Sequence, residues 1–188
     1  MALRYALITD LKGYTVTLTP LFQTMRLPFL ILTPICVLLG VSVAMANQVS
    51  LNGFLLFLAL LGALLAHISV NMLNEYVDFN SGLDAMTQKT QFSGGSGALP
   101  QNPNMAKITL MVGMAALMAT LLIGVFFVWK YGVAILPIGI IGLILIVTYT
   151  DWINKHPWLC LVAPGIGFGF LMVVGTQFIL SGEYTILS

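Results

Sequence analysis

A stripe of side chains rich in oxygen and nitrogen runs along one otherwise apolar stretch of the chain. Its members are spaced by three and four residues and therefore share one face of a helix: His67, Asn71, Asn74, Glu75 and Asp78. Glu75 and Asp78, together with Asp84, make up half of the six acidic residues in the chain. Such a cluster in so apolar a chain indicates a binding site. The alternative is a solvated helix end whose polar face meets cytoplasmic water.

The chemistry of this stripe follows from its two closest carboxylates. Two carboxylates about 6 Å apart repel each other by about 3 kcal/mol at an effective dielectric of about 20, and a divalent cation between them reverses the sign. Mg²⁺ typically combines one or two carboxylates with the phosphates of a substrate. Glu75 and Asp78 therefore predict a Mg²⁺ site that takes a phosphorylated ligand.

A glycine-rich segment follows the acidic stripe closely. It reads Ser93-Gly94-Gly95-Ser96-Gly97 and is preceded by Lys89. Glycines let the backbone approach an anion, and successive N–H groups can form an anion-binding nest. Lys89 would meet a phosphate as a point charge. The segment is either a phosphate-binding loop or a linker, and the neighbouring carboxylates favour the loop.

The composition shows which kind of molecule must position these groups. Of the 188 residues, 59% are hydrophobic and only 7% are charged. A soluble domain needs far more polar surface, and a disordered chain is far less hydrophobic. A net charge of +1 without a basic run argues against nucleic-acid binding. The sequence therefore predicts an integral membrane protein and an all-α, multi-span transmembrane helical bundle in a plasma or inner membrane.

A helix crosses the hydrocarbon core with about 20 apolar residues, and five continuous stretches approach that length. We predict a single membrane domain over 1–188 with spans at 27–46, 51–73, 108–128, 131–150 and 158–180. The runs are continuous, whereas the strands of a lipid-facing barrel alternate. Because 26 residues precede the first span, we expect that span to be retained rather than cleaved.

Basic residues orient the predicted spans. If the spans alternate, six of the seven Lys and Arg residues lie on one side of the membrane. Cytoplasmic loops carry the excess of Lys and Arg, so we expect the N-terminus and the long loop 79–105 to be cytoplasmic.

The stripe and two further segments resemble a known family. Asn74-Glu75-Tyr-Val-Asp78-Phe-Asn-Ser-Gly82-Leu-Asp84 is similar to the first aspartate-rich motif of the UbiA superfamily of intramembrane prenyltransferases. Asn71 fits the same motif, and segments 25–40 and 148–176 resemble that family's first helix and middle region. The spacing is most similar to the MenA-type branch, which prenylates 1,4-dihydroxy-2-naphthoate.

The resemblance implies a reaction. Such enzymes bind a polyprenyl diphosphate through Mg²⁺, ionise its allylic C–O bond and transfer the prenyl group to an electron-rich aromatic acceptor of the quinone-precursor kind. The isoprenoid tail lies in an apolar tunnel within the membrane.

The resemblance also implies roles for individual residues of this chain. The catalytic residues would be Asn74, Glu75 and Asp78, and the metal ligands would be Glu75, Asp78 and Asp84. The diphosphate would be met by a larger set of polar groups: Arg26, Asn71, Lys89, Ser93, Gly94, Gly95 and Tyr149. Arg26 and Tyr149 also have a simpler interpretation as interfacial anchors. We interpret His67 as a hydrogen-bonded buried histidine rather than a ligand.

Members of that superfamily have about nine spans and a second aspartate-rich motif, and neither is present in this sequence. We therefore expect these 188 residues to be an N-terminal half, either a truncated fragment or one part of a protein whose remainder is a second chain. Two rival functions stay open. One is a transporter or channel, since intramembrane polar groups also mark these proteins, although the spans show no inverted repeat. The other is a non-catalytic membrane subunit that completes another chain.

Overall fold

The computed structural model of the protein describes residues 7–9, 15–82, 95–153 and 156–185. Over these residues the chain folds as a bundle of long helices, which confirms the predicted all-α, multi-span class. A short β-hairpin precedes the bundle. Strands β1 (Leu7–Thr9) and β2 (Thr15–Thr17) form an antiparallel hairpin that pairs Leu7 with Thr17.

The helices follow in chain order. They are α1 (Thr19–Thr24), α2 (Leu27–Leu30), α3 (Leu32–Ala46), α4 (Gly53–Ser81), α5 (Ala98–Gln101), α6 (Ala106–Tyr131), α7 (Leu136–Asp151), α8 (Pro157–Pro164) and α9 (Val173–Ser181). Short 3-10 turns cover Pro103–Met105 and Gly132–Ile135. A π-helical segment, Gly165–Met172, joins α8 to α9.

Four stretches of the described chain are long and apolar enough to cross a membrane: Leu27–Ala46, Gly53–Ser81, Pro103–Tyr149 and Trp158–Ser181. The third has 47 residues, and a straight helix of that length would measure about 70 Å, far more than a bilayer core. It is divided at Gly132, whose φ of 67° stops α6 before the 3-10 turn that leads into α7. The number of membrane crossings, five in the sequence analysis, stays a prediction.

Side-chain contacts fix the relative directions of the long helices. Thr33 meets His67 and Arg26 meets Glu75, so α3 and α4 are antiparallel. Gly62 lies against Ile123 and Gly113 lies against Met72, so α4 and α6 are antiparallel as well.

The last two long segments continue this alternation. Tyr149 contacts Cys160 while Gly175 lies against Ile138, so α7 runs antiparallel to the segment 157–181. That segment runs parallel to α3, since Gly40 packs on Thr176 and Asn47 bonds Thr185. Successive long helices thus alternate in direction, as an up-and-down bundle requires.

Two separate cores close the two ends of the bundle. At the end where α3 finishes, the buried residues include Val41, Leu55, Phe127 and Phe178. At the opposite end Leu21, Met72, Leu99 and Met105 form the second core. The second core lies beside the polar stripe of α4, so we call this end the acidic end of the bundle.

Helix α4 is longer than the apolar run that predicted it. Asn52 caps its first turn by accepting from the Leu55 N–H at 3.1 Å, and the helix then continues to Ser81, eight residues past the predicted end of the span. It continues because Asn74, Glu75 and Asp78 are buried and hydrogen-bonded there. The first residues of the predicted loop 79–105 are therefore helical, as are 98–101 and 103–105.

Among the described glycines, Gly40 makes the closest contact with another helix, and this contact gives a first prediction. A Cβ at this position would lie 2.6 Å from the Val173 carbonyl oxygen and 2.8 Å from Thr176 Cβ. We expect Gly40→Ala to destabilise the bundle by about 1–3 kcal/mol through overpacking, and to lower the thermal unfolding midpoint in mild detergent. Gly139→Ala is the matched control, because a Cβ there meets nothing within 4 Å. Equal midpoints for the two variants would contradict the close packing of α3 on α9.

Candidate active site

A cavity of about 450 Å³ lies between α4, α6, α7 and the segment 157–181. Its polar lining is concentrated towards the acidic end of the bundle, where Arg26, His67, Asn71, Asn74 and Tyr149 face it. The remaining wall is overwhelmingly aliphatic and reaches the core at the other end. The cavity therefore has a polar mouth and an apolar depth, a shape suited to a ligand with a polar head and a hydrocarbon tail.

Glycines leave part of this cavity open. Gly124, Gly139 and Gly167 all line the cavity, and a Cβ added at any of them would meet no atom within 4 Å. Gly124 lies on α6 and Gly139 on α7, both far from the acidic end. The cavity is deep at these positions because the helices carry no side chain there.

Glu75 is the most enclosed charged group of the acidic end. Its side chain is wholly buried, and its Oε1 accepts from Arg26 Nε at 2.9 Å and from Arg26 Nη2 at 2.8 Å. Two donors on one oxygen make a charge-assisted pair of the strong kind. The pair joins the start of α2 to the middle of the polar stripe.

Ser96 completes the surroundings of Glu75. The Ser96 N–H donates to Oε1 at 2.6 Å, and the Ser96 hydroxyl donates to Oε2 at 2.7 Å. Gly95 and Gly97 on either side have φ near 70°, a left-handed conformation that glycine adopts without strain. One residue of the glycine-rich segment, Ser96, therefore binds the carboxylate of Glu75. Binding of a phosphate by this segment stays a prediction.

Asn74 and Asp78 form a second pair on α4. The Asn74 amide nitrogen donates to Asp78 Oδ2 at 2.7 Å, and both side chains are buried. Among the described residues, Asn74 Oδ1 is a buried oxygen without a hydrogen-bond partner. An unsatisfied amide oxygen beside a carboxylate is the donor set that a hard cation such as Mg²⁺ takes.

The residues of the acidic end therefore differ in how well they suit a metal ion. Asn74 Oδ1, which has no hydrogen-bond partner among the described residues, suits Mg²⁺. Both carboxylate oxygens of Glu75 accept hydrogen bonds. Within the described ranges, no three His, Cys, Asp or Glu side chains come together as a ready-made metal site.

Several predicted residues meet at the cavity mouth, and others do not. Arg26, Asn71, Asn74 and Tyr149 line it. Glu75, Asp78 and Gly95 are not part of its lining, although Glu75 touches Arg26 and Asp78 touches Asn74. The remaining predicted ligands, Asp84, Lys89, Ser93 and Gly94, lie outside the described residues.

Asn71 and Tyr149 have further contacts. The Asn71 amide donates to the Met25 carbonyl at 2.9 Å, so it fixes the residue next to Arg26. The Tyr149 hydroxyl lies 3.7 Å from Cys160 Sγ, which ties α7 to α8 at the mouth.

The interpretation of His67 as a buried, hydrogen-bonded histidine is confirmed. Its Nδ1 lies 2.8 Å from the hydroxyl of the fully buried Thr33, and its ring packs edge-on against Phe168 at 4.6 Å. Sequence reasoning missed Thr33 and Phe168, and it included Ser96 in the glycine-rich segment without identifying Glu75 as its partner. The only signals for Thr33 and Phe168 were the Thr33-Pro34 pair in the first span and the Gly-Phe-Gly run around 168.

Comparison with known proteins adds the family. Neither the curated proteins nor the solved structures gave a match to this chain. The profile of the UbiA prenyltransferase family matches residues 33–187, a range that holds α4 and every cavity-lining residue except Arg26. With helices long enough to cross a membrane and a match over most of its length, this chain is an integral membrane protein that belongs to the UbiA prenyltransferase family.

Proposed function

We propose that this protein transfers a polyprenyl group from a polyprenyl diphosphate to an aromatic acceptor in the membrane, and that the transfer depends on Mg²⁺. The observation that carries the proposal is the cavity, which joins a mouth lined by Arg26, Asn71, Asn74 and Tyr149 to a deep aliphatic interior. A prenyl diphosphate has the same division into an anionic head and a hydrocarbon tail. Family membership supports the same reaction class.

The residues at and beside the mouth would have two separate roles, binding of the diphosphate and binding of its Mg²⁺. Arg26 lines the cavity and keeps three of its five N–H donors beyond the two that Glu75 binds. These donors would hold diphosphate oxygens. Asn74 and Asp78 would hold Mg²⁺, which when bound neutralises the charge that develops on the leaving diphosphate. Asp84 remains a proposed Mg²⁺ ligand. Lys89, Ser93, Gly94 and Gly95 remain proposed contacts of the diphosphate.

The proposed reaction breaks the allylic C–O bond, and the bonding electron pair leaves with the diphosphate. The prenyl carbocation is then attacked by a ring carbon of the acceptor, which forms the new C–C bond and loses a proton. The aliphatic wall excludes water from the cation, because it offers no competing nucleophile in the depth of the cavity.

The finer identity of the reaction rests on the motif. The Asn74-to-Asp84 spacing favours the MenA-like branch and hence an acceptor of the dihydroxynaphthoate kind in quinone biosynthesis. The distribution of basic residues supports the proposal that the acidic end, the N-terminus and loop 79–105 lie on the cytoplasmic side.

We further propose that a second chain contributes acidic ligands to the site. A diphosphate and its Mg²⁺ need several anionic ligands, and among the described residues the acidic end offers the metal Asp78 beside Asn74. A second chain that carries another aspartate-rich motif would provide them.

The direct test uses the protein purified in lipid nanodiscs, with geranylgeranyl diphosphate and 1,4-dihydroxy-2-naphthoate. We expect a prenylated acceptor to form with Mg²⁺ and to be lost with EDTA. If the chain needs a partner, activity should appear only in membranes that contain the second chain. Movement of ions or solutes across proteoliposomes without prenyl transfer would instead support a transporter.

A substitution at Asp78 tests the metal assignment. Asp78→Asn keeps the shape of the side chain and removes its charge, so we expect Mg²⁺-dependent transfer to fall by about a hundredfold or more. The matched control is Glu183→Gln, which removes an exposed carboxylate at the opposite end of the bundle and should leave the rate unchanged. Transfer at the wild-type rate in Asp78→Asn would reject Asp78 as a ligand.

A substitution inside the cavity tests whether the prenyl tail lies there. Gly139→Leu places a side chain in open space at the apolar end. We expect this variant to discriminate against geranylgeranyl diphosphate relative to geranyl diphosphate by about tenfold, measured as the ratio of kcat/KM values. Ile144→Phe, on an exposed position of the same helix, is the control. An unchanged ratio in Gly139→Leu would show that the tail lies elsewhere.

A further inference from the structure

The surroundings of Glu75 differ from those of a metal ligand. Its two oxygens accept four hydrogen bonds: two from Arg26, one from the Ser96 N–H and one from the Ser96 hydroxyl. All four donors lie within 2.9 Å of a carboxylate that is fully buried. A cation that bound Glu75 would have to displace a guanidinium and approach through an N–H group, both of which repel it.

The guanidinium held by Glu75 needs such support, because the backbone of Arg26 is strained. Arg26 has φ 55° and ψ 52°, the left-handed region that residues with a Cβ rarely occupy. Helix α4 holds this conformation from two positions one turn apart: Asn71 binds the Met25 carbonyl and Glu75 binds the Arg26 side chain. Strain that persists at a cavity mouth is a feature of functional sites.

From this geometry we infer that Glu75 is a positioning residue rather than a magnesium ligand. It orients the fork of Arg26 towards the diphosphate and ties Ser96 to α4, while Asn74 and Asp78 serve the metal. The inference rests on the proposed function for the identity of the ligand, but the tie between Glu75 and Ser96 stands on its own contacts.

The test separates metal binding from anion binding in the full chain in nanodiscs. Mn²⁺ alone is titrated by electron paramagnetic resonance, and inorganic pyrophosphate is then titrated at saturating Mn²⁺. Hydrogen exchange of the amides in 95–101 is followed by mass spectrometry.

The variants are Glu75→Gln, Asp78→Asn and the milder Arg26→Lys, which keeps the positive charge but loses the planar guanidinium and its paired donors. Tyr131→Phe is the matched control, since it removes a hydrogen bond to Ile179 at the other end of the bundle.

We expect Glu75→Gln and Arg26→Lys to keep the Mn²⁺ affinity within about twofold and to bind pyrophosphate about tenfold more weakly. Asp78→Asn should lose Mn²⁺ affinity by about tenfold or more. Exchange of the Ser96 amide should accelerate about tenfold in Glu75→Gln and stay unchanged in Tyr131→Phe. A general loss of structure would instead accelerate exchange throughout and weaken both ligands together.

Two results would overturn the inference. One is a loss of Mn²⁺ affinity in Glu75→Gln as large as that in Asp78→Asn, which would make Glu75 a ligand. The other is wild-type exchange at Ser96 in Glu75→Gln. If the wild-type chain binds neither Mn²⁺ nor pyrophosphate, the proposed function fails instead, and the exchange rates still decide whether Glu75 holds Ser96.

Discussion

The ion pair between Glu75 and Arg26 is the contact on which the acidic end of the bundle depends. A wholly buried carboxylate is expensive unless it is paired and hydrogen-bonded, and removal of one partner from such a pair typically costs about 3–5 kcal/mol. Here the pair joins three pieces of chain that are distant in sequence: the start of α2, the stripe of α4 and the turn at Ser96. The cavity mouth has its shape because these pieces are held together.

The rest of the bundle obeys a different constraint. Between helices in a membrane, apolar surface gains little from association, because lipid tails are as apolar as the side chains, so close packing of small residues matters more. Gly40 illustrates this at the contact of α3 with Thr176. Gly124 and Gly139 do the opposite, since their missing side chains leave open space. Glycine therefore permits the close helix contact at Gly40 and leaves part of the cavity open at Gly124 and Gly139, depending on what faces each residue.

The sequence predicted the helices well because long apolar runs have few other solutions in a membrane. It also predicted that the stripe of α4 shares one face, and that Arg26, Asn71, Asn74 and Tyr149 belong to one site. It did not predict the partner of Glu75. Helical spacing describes neighbours within one helix, whereas Arg26 and Ser96 reach Glu75 from other segments. The length of α4 was missed for the same reason, since the polar residues that prolong it are satisfied by tertiary contacts.

The stripe is uniform in sequence but not in three dimensions. Successive residues of a helix differ by about 100° in direction, so Asn74 and Glu75 point to opposite edges of the polar face although they are adjacent in the chain. Asn74 lies on the edge that borders the cavity and turns its amide to Asp78, while Glu75 lies on the edge that meets Arg26 and Ser96. A motif of closely spaced acids therefore does not imply that its acids share one metal. Their separation around the helix lets one edge hold Arg26 and Ser96 while the other edge borders the cavity through Asn74.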